Sequence, residues 1–239
     1  STICDIMPLR GINRKILSIG FRNLVVKNKG LNKLIKYSVK KKLTYEDIGF
    51  NLGPLINSSG RISKANDVVE LFLSQNDEEI DKIINKMNLH NTTRKKIEQE
   101  NLNLINFKKY QNKNMIFIYN KNFHEGIIGI IASKLSKMFR KPCYIITESH
   151  DLLKCSIRSQ NEIKINKTIN KLINKNLIVS GGGHDEAGGF SAKKTKLSDI
   201  ENFLKNEYKT LNTKDNSYFD SFAILPKKNS SIVDDLKSL

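Results

Sequence analysis

The stretch MIFIYNKNFHEGIIGIIASKLSKMFRKPCYIIT, residues 115–147, decides the fold. It opens with a short apolar run typical of a buried strand (115–119), continues with apolar residues at helical spacing (126–139), and returns to a strand pattern at 142–147. A strand, a helix and a second strand in succession predict an α/β unit.

The alternation of strand and helix patterns continues beyond this stretch, so we predict an α/β domain over residues 113–212. The further predicted elements are strands at 152–159, 176–180 and 186–192 and helices at 164–173 and 197–211. The last predicted strand pair encloses a glycine-rich loop. Another strand pattern begins at 217–225, after a polar stretch.

The residues before this domain read as mostly helical. From 77 to about 110 there is no Gly or Pro, and apolar residues recur at helical spacing, which predicts one long connecting helix. Shorter helices are expected at 31–42 and 64–75. The segment 44–61 begins helically and is expected to break into an ordered loop at Gly53-Pro54.

Composition narrows the class of protein. The chain has 239 residues, 38% of them hydrophobic, and no apolar run of the roughly 20 residues that a membrane span requires. The opening residues do not resemble a secretory signal, and the chain does not start with Met, so we expect it to begin within a longer protein. Cys4, Cys143 and Cys155 are widely spaced, which favours reduced thiols in a cytoplasmic protein.

The net charge of +17 allows two interpretations. A strongly basic surface attracts polyanions such as nucleic acid. The chain is also rich in Lys, Asn and Ile, so the excess charge can equally reflect codon drift. In that case the seven remaining arginines are the better candidates for sites that need a planar, bidentate cation.

Three motifs of the α/β domain suggest anion binding. SGGGHDEAGGF (180–190) combines accessible backbone N–H groups with His184; a tight turn with a surface histidine is the alternative. HEGIIGIIASKL (124–135) places His124 before a helix N-terminus, which would otherwise be a plain helix cap. KCSIRS (154–159) sets Ser156 and Arg158 on one side of a strand, unless that side is simply solvated.

Two motifs precede that domain. LGPLINSSGRI (52–62) holds Asn57 and Arg61, which are suited to a nucleic-acid backbone or to a domain junction. CDIMPLRGINR (4–14) holds Asp5, and a single carboxylate needs further ligands before it can bind a metal.

In this order and spacing the five motifs resemble the RecJ exonuclease family of the DHH phosphoesterase superfamily. The resemblance covers essentially the whole chain. Three positions depart from the family pattern: Cys4 stands where Ala is usual, Ile12 where Glu is usual, and Leu55 where Arg is usual. The implied fold is the end of a DHH domain (1–76), a linker helix (77–112), a DHH-associated α/β domain with a mixed sheet (113–212) and the start of an OB-fold (213–239).

The resemblance also implies a function: metal-dependent 5′→3′ hydrolysis of single-stranded DNA in recombination and repair, by a monomer that has a single-strand-binding protein or a helicase as candidate partners. Asp5 becomes a catalytic residue and one ligand of Mn²⁺ or Mg²⁺, with the other ligands expected upstream of this chain. The implied phosphate-binding residues are Asn57, Arg61, His124, Ser156, Arg158, Ser159, Gly182, Gly183 and His184.

Two alternatives stay open at this point. One is a relative within the superfamily that hydrolyses short oligonucleotides or cyclic dinucleotides. The other is a catalytically inactive DNA-binding module. The sequence upstream of Ser1 would separate the module from the nuclease, because an Asp-His-His triplet there favours the nuclease.

Overall fold

The computed structural model describes a helical N-terminal part followed by an α/β part. The described residues are 2–4, 7–39, 42–63, 65–160 and 163–209. The segment for which we predict the start of an OB-fold, 213–239, lies outside them. No helix within the described ranges is long and apolar enough to cross a membrane.

Five α-helices build the N-terminal part: α1 (Gly11–Arg22), α2 (Lys29–Ser38), α3 (Gly53–Ile62), α4 (Asn66–Leu73) and α5 (Asp77–Asn103). The apolar faces of α2, α3, α4 and α5 meet in one cluster, because an amphipathic helix buries its apolar side against a neighbour. Among its fully buried members are Leu34, Leu71, Ile80, Ile84 and Met87. Helix α1 buries none of its residues and had no counterpart in our sequence prediction.

The long helix α5 forms where the Gly- and Pro-free stretch predicts it. Asn76 caps its N-terminus, since the side-chain oxygen accepts the backbone N–H groups of Glu78 and Glu79 at 2.9 and 3.1 Å. Its 27 residues span about 40 Å at 1.5 Å per residue. The helix ends at Asn103, and a short 3-10 turn, Phe107–Tyr110, follows.

The expected break at Gly53-Pro54 is wrong. A π-helical turn, Asp47–Leu52, runs directly into α3, so the motif 52–62 is helical rather than a loop. Pro54 lies where the π-helical turn passes into α3, next to Gly53, whose backbone N–H donates to Ile48 O. Buried Ser58 donates its hydroxyl to Leu55 O at 2.6 Å and so stays satisfied within the helix.

A five-stranded sheet forms the centre of the α/β part, in the order β1-β2-β3-β5-β4. The strands are β1 (Ile116–Tyr119), β2 (Cys143–Ser149), β3 (Leu152–Arg158), β4 (Ser180–Gly183) and β5 (Ala187–Lys193). Strands β1 and β2 are parallel and the other pairs are antiparallel, which confirms the predicted mixed sheet. The parallel pair is joined by helix α6 (Glu125–Phe139), as a parallel crossover requires.

The predicted glycine loop is also wrong in one respect. Residues 180–183 are themselves the edge strand β4, whereas the apolar residues before them, from 176 to 179, are not in a strand. Backbone contact decides this, because a Cβ on Gly183 would lie only 2.4 Å from Ala187 O. The glycines therefore allow two strands to approach closely rather than form an open turn.

Each face of the sheet carries its own apolar core. Helices α7 (Ile165–Asn174) and α8 (Leu197–Glu207) belong to one face, where Tyr144, Ile157 and Phe190 are buried. Helix α6 covers the other face over β1 and β2. On the α6 face, β3 carries polar side chains that are half-buried.

Candidate phosphate-binding site

Strand β3 divides its side chains between the two faces of the sheet. Leu153, Cys155 and Ile157 are buried, whereas Ser156 and Arg158 alternate with them and are half-buried. Because strand side chains alternate, Ser156 and Arg158 share the face on the α6 side, as the sequence predicts. A Cβ on Gly129 of α6 would lie 3.2 Å from Ser156 Oγ and 3.7 Å from Arg158 Nη2, so the helix passes directly above both residues.

The strand register extends this polar row to the glycine hairpin. Ser156 pairs with Gly189, which pairs with Gly182. One step further, Arg158 pairs with Ala187, whose carbonyl accepts the backbone N–H of His184 at 2.8 Å. Two strand spacings of about 4.8 Å therefore separate Arg158 from the backbone of His184.

We call this surface the grip face and define it by Ser156, Arg158, Gly182, Gly183 and His184. Gly182, Gly183 and His184 are exposed. A Cβ on Gly182 would meet nothing within 4 Å, so the space above the hairpin is open. The face thus offers a hydroxyl, a guanidinium and a bare backbone to one ligand.

Arg158 is anchored locally but retains donors. Its Nη1 donates to Ile157 O at 2.8 Å and to Ser156 Oγ at 3.4 Å. Burial lowers the pKa of Arg158, yet a guanidinium stays protonated at neutral pH. A cation held in partly desolvated surroundings attracts an anion more strongly than one in bulk water.

His124 is the N-cap of α6, where its Nδ1 accepts the backbone N–H of Gly126 at 3.1 Å. That hydrogen bond requires an unprotonated Nδ1, so in the neutral ring the proton resides on Nε2. The half-buried ring can therefore present one N–H donor beside the helix N-terminus, where the helix dipole favours anions.

Arg61 joins the helical part to α6. Its Nη1 donates to Gly126 O at 3.1 Å, and a Cβ on Gly126 would lie only 2.1 Å from Arg61 O, so the two backbones touch. Burial lowers the pKa of Arg61, and the cations Arg94 and Arg158 lower it further. The charges of Arg158 on the grip face and of Arg94 on the long helix α5 therefore both act on Arg61.

Three predicted site residues lie apart from the grip face. Asn57 is exposed on α3. Ser159 is only 3% exposed, and its hydroxyl donates to Gln160 O at 3.2 Å. Asp5 lies outside the described residues.

Sequence reasoning did not single out Arg94 of α5. It is 8% exposed, its Nη1 donates to Glu98 Oε2 at 2.9 Å, and Lys134 of α6 pairs with the same carboxylate. The one feature of the sequence that could have indicated Arg94 is that it is one of only seven arginines in a lysine-rich chain.

The described residues do not fit a divalent-cation site on their own. Within the described ranges, no three His, Cys, Asp or Glu side chains lie together as metal ligands.

Comparison with known proteins assigns the α/β part to a domain family. Residues 112–210, which contain the mixed sheet and its glycine hairpin, match the family model of the DHHA1 domain. Over 212 residues the chain is 28% identical to the single-stranded-DNA-specific exonuclease RecJ of Bacillus subtilis, and over 218 residues it is 26% identical to that of Haemophilus influenzae. These matches cover 85% of this chain but 27% and 38% of the two relatives.

Solved structures of RecJ have the same fold as this chain. The crystal structure of Thermus thermophilus RecJ with Mn²⁺ superposes with a TM-score of 0.78 at 21% identity, covering 87% of this chain and 31% of that one. The Mg²⁺ complex of the same protein gives a TM-score of 0.75 at 22% identity, covering 87% of this chain and 33% of that one. The chain thus contains a DHHA1 domain and is distantly similar to RecJ over most of its own length, and it spans about a quarter to two fifths of the curated relatives it matches.

Proposed function

We propose that this chain is the phosphate-gripping part of a single-strand-specific DNA exonuclease that works 5′→3′ in recombination and repair. The observation that carries the proposal is the grip face, where Ser156 and Arg158 lie in one row with the glycine hairpin. The relatives are single-stranded-DNA-specific exonucleases, which supports single-stranded DNA as the substrate.

The grip face suits a phosphate in three ways. Arg158 can donate two parallel N–H groups to two phosphate oxygens, which a lysine cannot do. Ser156 adds a hydroxyl donor, and the exposed hairpin lets the sugar-phosphate backbone approach closely. None of these groups reads a base edge, so we expect binding that does not depend on base sequence.

Hydrolysis requires more than the grip. We propose that Asp5 is one ligand of the Mn²⁺ or Mg²⁺ that the whole enzyme uses, with the other ligands contributed by residues beyond those described. The described residues would then hold the strand while the reaction takes place next to them.

Binding of a labelled oligo(dT) to the purified 239-residue chain tests the grip. By fluorescence anisotropy we expect weak binding whose log K falls linearly with log salt concentration, because each neutralised phosphate releases counterions. Arg158→Gln should weaken binding by roughly ten- to a hundredfold, the equivalent of one charge-assisted hydrogen-bonded contact of roughly 1.5–3 kcal/mol. Lys205→Gln, which removes one charge from α8 on the other face, is the matched control.

Cleavage tests the remainder of the proposal. The chain alone should not digest single strands with manganese; together with a DHH segment that supplies the Asp-His-His triplet it should, and Asp5→Ala should abolish that activity. Digestion by the chain alone would overturn the account. A reconstituted protein that binds strands without cleaving them would favour the inactive binding module instead.

A further inference from the structure

Strand β1 forms one edge of the sheet and pairs with β2 alone among the described strands. The backbone N–H of Ile116 donates towards β2, to Pro142 O at 2.9 Å. Because alternate residues of a paired strand direct their backbone groups to opposite sides, the N–H and C=O groups of Phe117 and Tyr119 point away from β2. In the described part of the chain these groups have no hydrogen-bond partner.

Strand β1 also lacks the features that usually protect an edge strand. Its four residues read IFIY, without a charged side chain or a proline. Exposed edge strands usually carry one or the other, because a row of unpaired N–H and C=O groups is a template for another chain. The edge of β1 is therefore suited to accept a further strand, the mode of peptide recognition called β-augmentation.

A cavity of about 290 Å³ opens beside the start of β1, on the face of the sheet that carries α8. Its apolar walls include Met115, Phe117 and Tyr208, and we call it the β1–α8 cavity. Met115 and Tyr208 are buried, so these walls belong to the folded core. The Nδ2 of Asn114 donates to Tyr208 O at 2.9 Å and fastens the end of α8 beside the start of the strand.

The β1–α8 cavity is positively charged. Glu201 is the one carboxylate among its described lining residues, and it pairs with Lys205 at 2.8 Å. The charges of Lys113 and Lys209, which also line the cavity and are exposed, are therefore not neutralised within it. A ligand that carries acidic groups beside an apolar anchor would be complementary to this lining.

We propose that the edge of β1 binds an extended segment of a partner protein, which adds a sixth strand to the sheet and inserts a large apolar side chain into the β1–α8 cavity. Acidic residues two positions before and after that anchor lie on the same face of the added strand and approach Lys113 and Lys209. Backbone hydrogen bonds to Phe117 and Tyr119 supply affinity, and the cavity supplies specificity.

This partner site and the grip face lie on opposite faces of the sheet. Met115 and Phe117 pack with the core that includes α7 and α8, whereas Ser156 and Arg158 lie beneath α6. Strand β2 separates β1 from β3 as well. A partner segment on β1 would therefore leave the grip face open to DNA, and binding of the segment does not depend on the proposed nuclease activity.

Two synthetic peptides of identical composition test the proposal. The first, Thr-Asp-Thr-Phe-Thr-Asp-Thr, places its Phe and both Asp side chains on one face of a strand. The second, Thr-Thr-Asp-Phe-Asp-Thr-Thr, places the Asp side chains on the face opposite the Phe, because side chains alternate. With fluorescein-labelled peptides and the 239-residue chain, we expect the first to bind about tenfold more tightly by anisotropy.

Amide hydrogen exchange measured by NMR provides the direct readout. In the free chain, exchange should be faster at Phe117 and Tyr119 than at Ile116 and Ile118, whose N–H groups face β2. Saturation with the first peptide should slow exchange at Phe117 and Tyr119 by about tenfold or more, because these groups become hydrogen-bonded. Exchange at the two isoleucines should not change.

Two sets of variants separate the backbone contribution from the charge contribution. Tyr119→Pro removes an N–H on the open side of an edge strand, where proline is tolerated. It should weaken the first peptide by roughly two- to tenfold, the equivalent of one backbone hydrogen bond, whereas Tyr119→Phe retains the N–H and should not. Lys113→Glu with Lys209→Glu should abolish the preference for the first peptide. Lys82→Glu with Lys137→Glu, the same charge change at exposed positions of α5 and α6, should preserve it.

Several results would overturn the proposal while leaving the Arg158→Gln test of the grip face intact. Equal binding of the two peptides, or binding of neither, would exclude the predicted partner. Slow exchange at Phe117 and Tyr119 in the free chain at every concentration would mean that the chain's own residues cover β1. Slow exchange that appears only at high protein concentration would mean that a second copy does. Displacement of the peptide by oligo(dT) would place it on a nucleic-acid surface instead.

Discussion

The two sides of strand β3 differ as much as a core differs from a binding surface, although their residues alternate along seven positions. Cys155 and Ile157 are packed into the apolar cluster shared with α7 and α8. Ser156 and Arg158 point the other way, beneath α6, onto a face left open by the glycine hairpin. We therefore expect one side of this strand to stabilise the domain and the other side to bind the phosphate.

This difference shows that stability and binding should be separable at neighbouring positions. Burial of apolar area stabilises the closed side, and its loss leaves a cavity. On the open side, the half-buried Arg158 contributes little to the free energy of unfolding as long as no anion is bound. Substitutions on the two sides should therefore affect different measurements.

The largest effect is expected at Ile157, which is 0% exposed. Ile157→Ala should lower the free energy of unfolding by roughly 2–5 kcal/mol, because it removes buried methyl groups and leaves a cavity. Arg158→Ala should change it by about 1 kcal/mol or less while removing most strand binding. Urea titration followed by circular dichroism measures the first quantity and anisotropy the second. Equal destabilisation by both substitutions would contradict the division between the two sides.

The hairpin offers the next test, with adjacent glycines as a matched pair. Gly183→Ala should destabilise the domain by about 1–3 kcal/mol, since its Cβ would lie 2.4 Å from Ala187 O and the strands must separate. Gly182→Ala should leave stability nearly unchanged, because a Cβ there meets nothing within 4 Å. Thermal unfolding of both variants decides the matter, and a similar melting temperature for the two would show that close strand approach is not required.

A smaller effect is expected where α6 passes over the grip face. The methyl group of Gly129→Ala would press on Ser156 Oγ at 3.2 Å and approach Arg158 Nη2. We expect strand binding to weaken by about the worth of one hydrogen bond, roughly 0.5–1.5 kcal/mol. Stability should fall little, because alanine is the better helix former. An unchanged dissociation constant would indicate that the ligand does not use the space beneath Gly129.

The smallest effect concerns the cysteines, which report whether both cores are closed. Burial raises the pKa of the Cys143 and Cys155 thiols, so neither forms the reactive thiolate at neutral pH. Cys4 is exposed. Iodoacetamide followed by mass spectrometry should therefore label Cys4 alone in the native chain and all three after unfolding. Rapid native labelling of Cys155 would show that the closed side of β3 opens.

Local pattern was sufficient for most elements. The apolar pattern located α5 and α6 by helical spacing, β1 and β2 as short apolar runs, and β3 by alternation. It failed at Gly53-Pro54, where a π-helical turn continues into α3, and at 180–183, where glycines form a strand. At 180–183 the strand depends on pairing with β5, and at Gly53-Pro54 the helix continues from the π-helical turn before it. Neither arrangement produces an apolar repeat in the sequence.

By itself, the sequence determined the alternation of strand and helix, the residue types available for phosphate and the placement of Ser156 and Arg158 on one side of a strand. Only the tertiary structure decided which side of the sheet stays open, how Arg61 brings α3 against Gly126, and that Phe50 and Lys95 line one cleft with Lys134. The physical reason is range. Propensity and side-chain alternation act over a few residues, whereas an open face and a cleft exist only once helices from distant parts of the chain have packed together.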